Sequence, residues 1–380
     1  MGSSNKDKII LATCKIIHVF FRLFPLKKQA VFSSFGGTEY NDNPRAISVA
    51  LHEMDPSYKF VWMLPNHYEA DVPSYIVTAK RYSIKAMYYY ATSKVIVDNF
   101  NIPKWFIKRN GQKYIQTWHG DRGFKKILYD STFISKDFYR PEKDICDLMM
   151  AGSKRGYDKY RSAFRYQGEI LEVGSPRNDI LLNPDLSVAR KIRQKYGVDD
   201  KTRILLYAPT YRREENKGFH ITGLNLSGLL DSLHDLAGEN WICFLRAHKA
   251  SHGFNGIATD NRLIDVTCYP DMIELMLASD FLITDYSSSA GDYALTGKPI
   301  VLFREDSSEY TGKDRTFYFD IQETPFKVAA NQNEIIEAFN CLNQSGEAAK
   351  NCEDILAFYG CYESGHAAQE CAKWIVANVK

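Results

Sequence analysis

None of the eight cysteines, at positions 14, 146, 243, 268, 341, 352, 361 and 371, forms a Cys-x-x-Cys pair or a zinc-like spacing. Several lie in apolar runs such as WICFL, where cysteine behaves as a small hydrophobe. A structural metal is therefore not expected, and a reducing compartment is. No Asp-x-Asp pair occurs anywhere, so the usual acidic clamp for a metal-bound nucleotide diphosphate is missing. No cofactor is expected, and activity should survive removal of divalent cations. A Walker-type glycine–lysine loop is also lacking, which argues against an ATPase or kinase. The charge surplus is only +2, whereas a dedicated nucleic-acid binder is normally more basic. Any basic patch must be local, and no nucleic-acid partner is expected. Long apolar runs are absent too. The most hydrophobic stretch, KIILATCKIIHVFFRLFP, is interrupted at Lys8, Lys15 and Arg22 and falls short of the roughly 20 apolar residues that span a bilayer.

What is present is the composition of a soluble globular protein, 45% hydrophobic and 25% charged, in a chain of 380 residues that suits two domains. The opening MGSS reads as a cloning remnant and is set aside. Residues 8–24 are expected to form a helix ended by Pro25. Lys8, Lys15 and Arg22 recur every seven residues and line one side of it. Such a basic stripe on an apolar helix suits a membrane interface. A helix packed on its own domain with the lysines outward has the same pattern. No small-residue cleavage site follows, so a signal peptide is not expected.

From residue 28 onward, short β-rich runs alternate with helical stretches. The first half offers QAVFSSF, KFVWML, KVIVDNF, KYIQTWH, DLMMAGS and EILEVGS, with amphipathic segments such as NPRAISVALHEM between them. The second half repeats the plan with RILLYAPT, WICFLRAH, RLIDVT, DFLITDYSS and PIVLFR. Continuous apolar strands alternating with helices indicate parallel sheets covered on both faces. Two doubly wound α/β domains follow, over 28–182 and 183–380, with the break near GSPRNDILLNPDLS. Residues 1–27 precede them as remnant and docking helix.

Ligands of open α/β sheets bind beyond the carboxyl ends of the strands, and several strands here end in chemistry. KYIQTWH ends in His119, followed by Gly120, Asp121, Arg122 and Gly123. RILLYAPT ends in Pro209 and Thr210. WICFLRAH ends in Arg246, Ala247 and His248, with Lys249 next. DFLITDYSS ends in Asp285, Ser287 and Ser288, then Gly291 and Asp292. EILEVGS runs into Pro176 and Arg177. Each has an ordinary alternative: a structural histidine, a surface turn, a helix N-cap. Together they define an anion site between the two domains. Arginine forks bind phosphate bidentately, serine hydroxyls and backbone N–H groups at a strand-to-helix junction add donors, and Gly120 and Gly123 let backbone approach a ligand closely.

The motifs QTWHG, GSPRND, YAPTYR, FLRAH and ITDYSSSAGD, with the opening VFSSFGG…DNPR, resemble the CDP-glycerol glycerophosphotransferase family of wall teichoic acid synthesis over about residues 30 to 365. Length and N-terminal helix are most similar to the shorter members, primases and short-chain transferases. The resemblance implies an α/β fold of two Rossmann-like domains in the glycosyltransferase-B arrangement, with the active site in the cleft. It implies transfer of glycerol phosphate from CDP-glycerol to a hydroxyl on an undecaprenyl-diphosphate-linked glycan acceptor, with release of CMP. It further implies peripheral attachment, through an anionic membrane surface, to the cytoplasmic face of a bacterial cell membrane.

Carried over by motif, His119 with Gly120, Asp121, Arg122 and Gly123 faces the donor. Arg177, Pro209, Thr210, Arg246 and Ala247 line the same cleft, and Ser287, Ser288 and Asp292 complete the CDP-glycerol site. The family's usual WHGTPLKK is WHGDRGFKK here, one residue longer, which leaves the roles of Asp121 and Arg122 open. A neutral imidazole near pKa ~6.5 suits a general base. His119 is assigned as the base and His248 as stabiliser of the departing phosphate, although the two roles are interchangeable at this level. A CDP-ribitol donor, a nucleotide-sugar glycosyltransferase and a non-catalytic membrane protein holding lipid diphosphates are the competing functions.

Overall fold

The computed structural model describes residues 5–66, 68, 72–131, 140–210, 219–220, 224–247, 254–255, 260–304 and 316–379. The chain divides into two units: Met1–Asp121, Asp137–Asp179 and Tyr362–Lys380 form the first, Arg122–Lys136 and Ile180–Cys361 the second.

Unit 1 is built on seven strands, β1 (Lys27–Ser33), β2 (Lys59–Met63), β3 (Ile76–Ala79), β4 (Ser93–Asp98), β5 (Lys113–Gln116), β6 (Leu148–Met150) and β7 (Glu169–Leu171). They lie in the order β3-β2-β1-β4-β5-β6-β7, and every pairing is parallel. Its helices are α1 (Asn5–Phe21), α2 (Asp42–Met54), α3 (Ile84–Thr92), α4 (Glu142–Ile145) and α5 (Lys154–Ala163). Alternation along the strands sends Ala30, Phe32, Val95 and Val97 to one face, where α2 and the C-terminal helix Ala367–Asn378 cover them. Val31, Val61, Met63 and Ile96 go to the other face, under α3 and α1. Side chains on both faces are buried, which is why the strands read as continuous apolar runs.

Unit 2 repeats the plan with β8 (Arg203–Ala208), β10 (Trp241–Leu245), β12 (Leu263–Asp265), β13 (Phe281–Thr284), β14 (Ile300–Phe303) and β15 (Lys327–Ala329), in the order β12-β10-β8-β13-β14-β15. A separate two-stranded pair joins β9 (Phe219–His220) to β11 (Phe254–Asn255). Helix α6 (Asp179–Leu182) starts at the crossing between the units, and α7 (Leu186–Lys195), α8 (Leu226–Ala237), α9 (Met272–Ala278) and α10 (Ser289–Tyr293) follow. Both large sheets reverse strand order beside their first strand, the arrangement that opens a ligand crevice at the carboxyl edge.

The division differs from the expected 28–182 and 183–380. The break falls at 179/180, residues 122–136 belong to unit 2, and residues 362–380 return to unit 1. The return has a visible cause. Ala368, Cys371 and Ile375 of the last helix join the core of unit 1. The Asp179 carboxylate accepts hydrogen bonds from the Ala367 and Ala368 amides at 2.9 and 2.8 Å, capping that helix. Local periodicity does not report such a crossing.

Helix α1 packs Cys14 and His18, both buried, with Leu11, Ile17 and Phe21 onto its own unit. The His18 ring sits beside Trp105 and Phe106, and its Nδ1 and Nε2 lie 3.3 Å from Met87 O and Ile107 O. On the opposite side Ile9, Ile16, Phe20 and Leu23 are 66, 70, 56 and 80% exposed, next to exposed Lys8 and Lys15. The helix is thus part of the core on one face and apolar as well as basic on the other. Among the described residues no helix is long and apolar enough to cross a membrane.

Candidate active site

At the carboxyl edge of unit 1, β5 hands over to Thr117, Trp118 and His119. Trp118 adopts a left-handed backbone, φ 52°, which costs energy for a bulky residue and persists only where the surroundings impose it. Here its amide donates to Gln116 Oε1 at 2.9 Å, its carbonyl accepts from Asn43 Nδ2 at 3.0 Å, and its ring packs edge-on against Phe164. The turn brings His119, partly exposed, among the rings of Phe35, Phe100 and Trp118.

His119 Nδ1 lies 2.7 Å from the Asn99 carbonyl. A carbonyl only accepts, so Nδ1 carries the hydrogen and Nε2 keeps its lone pair. Asn99 is held in turn: its Nδ2 donates to Asp42 Oδ1 at 2.8 Å and to Ser34 Oγ at 3.1 Å, and its Oδ1 accepts from the Phe35 amide at 2.8 Å. Arg177 Nη1 donates to Asp42 Oδ2 at 2.6 Å and to the His119 carbonyl at 3.0 Å, which closes the ring of contacts. The His119 pKa is lowered, chiefly by burial and further by the charges of Arg177 and Arg140; the Asn99 hydrogen bond and the Asp42 charge oppose the shift. The imidazole is therefore neutral at neutral pH, the form a general base needs.

Three residues expected at the donor site have partners inside the protein. Asp121 is buried; its Oδ2 accepts from Ser153 Oγ at 2.6 Å and its carbonyl from Lys159 Nζ at 2.6 Å. A Cβ at Gly156 would lie 1.6 Å from Asp121 Oδ1, so the glycine makes room for it. Arg122 is fully buried and donates to Asp292 Oδ1 at 2.8 Å, beside Gly291, where a Cβ would come within 2.6 Å of the arginine Cβ. Arg122 and Asp292 thus neutralise each other's charge. Gly120 and Gly123 are partly exposed on either side of this stretch.

The carboxyl edge of unit 2 collects the remaining expected residues. Beyond β8, buried Pro209 leads to Thr210, whose amide and Oγ1 donate to Asp285 at 2.9 and 3.0 Å. Beyond β10, Arg246 Nη1 donates to the Val266 and Tyr269 carbonyls, and the buried Ala247 amide to Thr267 Oγ1 at 3.0 Å. His248 lies outside the described residues. Beyond β13, Ser287 Oγ accepts from Ser289 Oγ at 2.7 Å, while the half-buried Ser288 hydroxyl has no partner among the described residues. Beyond β14 stands Arg304, buried against Tyr286. Among the described residues no group of three His, Cys, Asp or Glu is placed to hold a metal ion.

Asp42, Asn43, Asn99 and Arg304 were not singled out in the sequence. The strand-end rule that found His119 reaches Asn99 and Arg304 when applied to KVIVDNF and PIVLFR. Asp42 and Asn43 lie in the DNPR of the family resemblance, but their only other local signal is their place before Pro44.

Two parallel sheets of the same strand order, one followed by a neutral imidazole and the other by a serine- and arginine-bearing edge, define a chain of two Rossmann-like units. The chain belongs to the CDP-glycerol:poly(glycerophosphate) glycerophosphotransferase family, whose model matches residues 16–377. It is 30% identical over 372 residues to the teichoic acid poly(glycerol phosphate) polymerase of Staphylococcus epidermidis, covering 93% of this chain and 51% of that protein. The chain thus spans about half the length of that relative. The teichoic acid poly(glycerol phosphate) polymerase of Bacillus spizizenii is 29% identical, with 96% of this chain and 98% of the relative covered. A solved structure of the wall teichoic acid polymerase TagF superposes with a TM-score of 0.84 at 27% identity, covering 98% of this chain and 95% of that one.

Proposed function

We infer that this chain transfers glycerol phosphate from CDP-glycerol to a hydroxyl of a polyprenyl-diphosphate-linked acceptor of the teichoic acid type, releasing CMP. The observation that carries the reading is the His119 ring, held by Asn99 through Nδ1 so that a neutral Nε2 is left to accept a proton. In the proposed reaction the acceptor oxygen attacks the β-phosphorus and its proton passes to Nε2. The bond from that phosphorus to the bridging oxygen breaks, and its electron pair leaves on the CMP phosphate. Positioning and charge stabilisation carry most of the rate in such transfers. The edge of unit 2, with Ser288, Thr210 and Arg246, is assigned to the donor, and His248 to the departing phosphate. The two parallel sheets are the parts from which glycosyltransferase-B enzymes are assembled, and that arrangement is included in this reading.

The exposed apolar side of α1, flanked by Lys8 and Lys15, supports peripheral docking to an anionic bilayer at its cytoplasmic face, where a lipid-linked acceptor resides. Incubation with CDP-glycerol and a lipid-linked disaccharide analogue tests the function. CMP release with a mass gain of one glycerol phosphate is expected. Turnover of CDP-ribitol or of a nucleotide sugar in place of CDP-glycerol, or binding without turnover of any donor, overturns it.

A further inference from the structure

The buried arginines of this protein have carboxylates, with one exception among the described residues. Arg122 is paired with Asp292 and Arg140 with Glu142. Arg304 is 9% exposed, yet no described carboxylate lies within ion-pair distance of it. Its amide bonds to the Ala329 carbonyl at 2.8 Å, which fixes the backbone one residue past β14. Its guanidinium lies over the Tyr286 ring, 5.2 Å from the centroid, and Nε donates to the Tyr286 hydroxyl at 3.4 Å. The terminal nitrogens Nη1 and Nη2 have no partner among the described residues. Tyr286 is itself fixed, stacked on Phe317 at 5.4 Å with the rings 15° apart.

Burying a charge without a counter-charge is unfavourable, and a cation–π contact offsets only part of that. The remainder is relieved when an anion arrives. The location says where it arrives. In the parallel pairing of β13 with β14, Thr284 stands opposite Leu302, so Arg304 stands beside Tyr286, which is one residue before Ser287 and two before Ser288, whose hydroxyl has no partner among the described residues. Strands so paired are about 4.8 Å apart. A guanidinium and a hydroxyl, neither fully partnered among the described residues, therefore lie just past the carboxyl ends of two neighbouring strands.

We propose that Arg304 is a phosphate-binding residue, and that an oxyanion of the CDP-glycerol diphosphate completes its coordination. This rests on the function inferred above. As the bond to the β-phosphorus breaks and the electron pair settles on the CMP phosphate, Arg304 neutralises the charge that appears there. A metal held by an acidic clamp does this in other enzymes, and the sequence has no such clamp.

The test uses Arg304→Gln and Arg304→Lys in the full-length protein. For the glutamine variant kcat/KM for CDP-glycerol should fall about 10- to 100-fold, the range for hydrogen bonds to a charged group, with KM for the acceptor unchanged. Lysine should restore only part, because it lacks the bidentate fork. The melting temperature without ligand should hold or rise, since an uncompensated charge is removed, while the stabilisation produced by added CDP-glycerol should shrink. Unchanged kinetics, or a lowered melting temperature with an unchanged donor-induced shift, overturns the proposal. A rise in the acceptor KM alone also overturns it, by assigning the anion to the acceptor's phosphate. Calorimetry with inorganic pyrophosphate reads the arginine without turnover. About tenfold weaker binding to Arg304→Gln supports the site even if CDP-glycerol proves not to be the donor, and equal binding sinks it.

Discussion

The two sheets have the same strand order, and their carboxyl edges are finished in opposite ways. In unit 1 the groups around His119 bond one another in a closed ring, from His119 to Asn99, Asn99 to Asp42, Asp42 to Arg177 and Arg177 back to the His119 carbonyl. In unit 2 Thr210 and Asp285 brace each other, but the Ser288 hydroxyl and the Arg304 terminal nitrogens are left with no described partner. The difference follows the chemistry each edge is suited to. A base needs one tautomer in one orientation, so its neighbours must be committed. An anion site needs donors still available when the ligand comes, and it carries the cost of an uncompensated charge until then.

The largest expected effect breaks the committed edge at its centre. His119→Gln should lower kcat by about 10²–10⁴, the usual loss for a general base, with an unchanged circular dichroism spectrum. Near-normal turnover in the folded variant would remove His119 from that role. Next comes the buried pair in unit 2. Arg122→Met alone should destabilise the protein by about 3–5 kcal/mol, because it strands the Asp292 carboxylate, and Arg122→Met/Asp292→Leu should recover most of that. Chemical denaturation measures both. If Arg122→Met is instead as stable as wild type and binds CDP-glycerol more weakly, Arg122 faces the donor after all.

A smaller effect sharpens the account of the ring. Burial and the Arg177 and Arg140 charges disfavour the imidazolium of His119, while Asp42 favours it. The acid limb of kcat/KM should therefore lie below the ordinary histidine value of about 6.5. Arg177→Gln removes one positive charge and frees Asp42, so both changes move the limb upward. A limb that stays put in a pH–rate profile would exclude His119 as the titrating base. The smallest change concerns a surface belonging to neither edge. Ile9→Gln/Ile16→Gln/Leu23→Gln, or Lys8→Gln/Lys15→Gln, should weaken sedimentation with anionic vesicles, by about 1 kcal/mol per lost charge. Turnover of a water-soluble acceptor should be untouched. Deleting α1 outright is the poorer test, because Cys14 and His18 belong to the core.

Although β7 and β12 are partly exposed edge strands, most of the strands quoted from the sequence were legible because buried parallel strands are continuous apolar runs. Strands β3 and β15 were not. SYIVTAK and FKVAA are short, edge-placed and only half apolar, and β3 is mostly incompletely buried. Site residues divide in the same manner. His119, Arg246 and Ser288 were singled out because each lies within a few residues of a strand's carboxyl end. The internal partners of Asp121, Arg122 and Asp292 were not legible, since a polar residue after a strand has the same sequence appearance whether it faces a ligand or a buried partner.

Sequence alone determined the fold class, the family and the position of the imidazole, because these depend on neighbours within a few residues along the chain. Only the tertiary structure decided which charges are already satisfied. The partner of Arg122 is 170 residues away, that of Arg177 is 135 away, and the ring beneath Arg304 is 18 away, just past the neighbouring strand. Whether a buried cation is a structural ion or a vacant site for an anion depends on what lies within a few ångströms of it in space, and chain spacing carries no record of that distance.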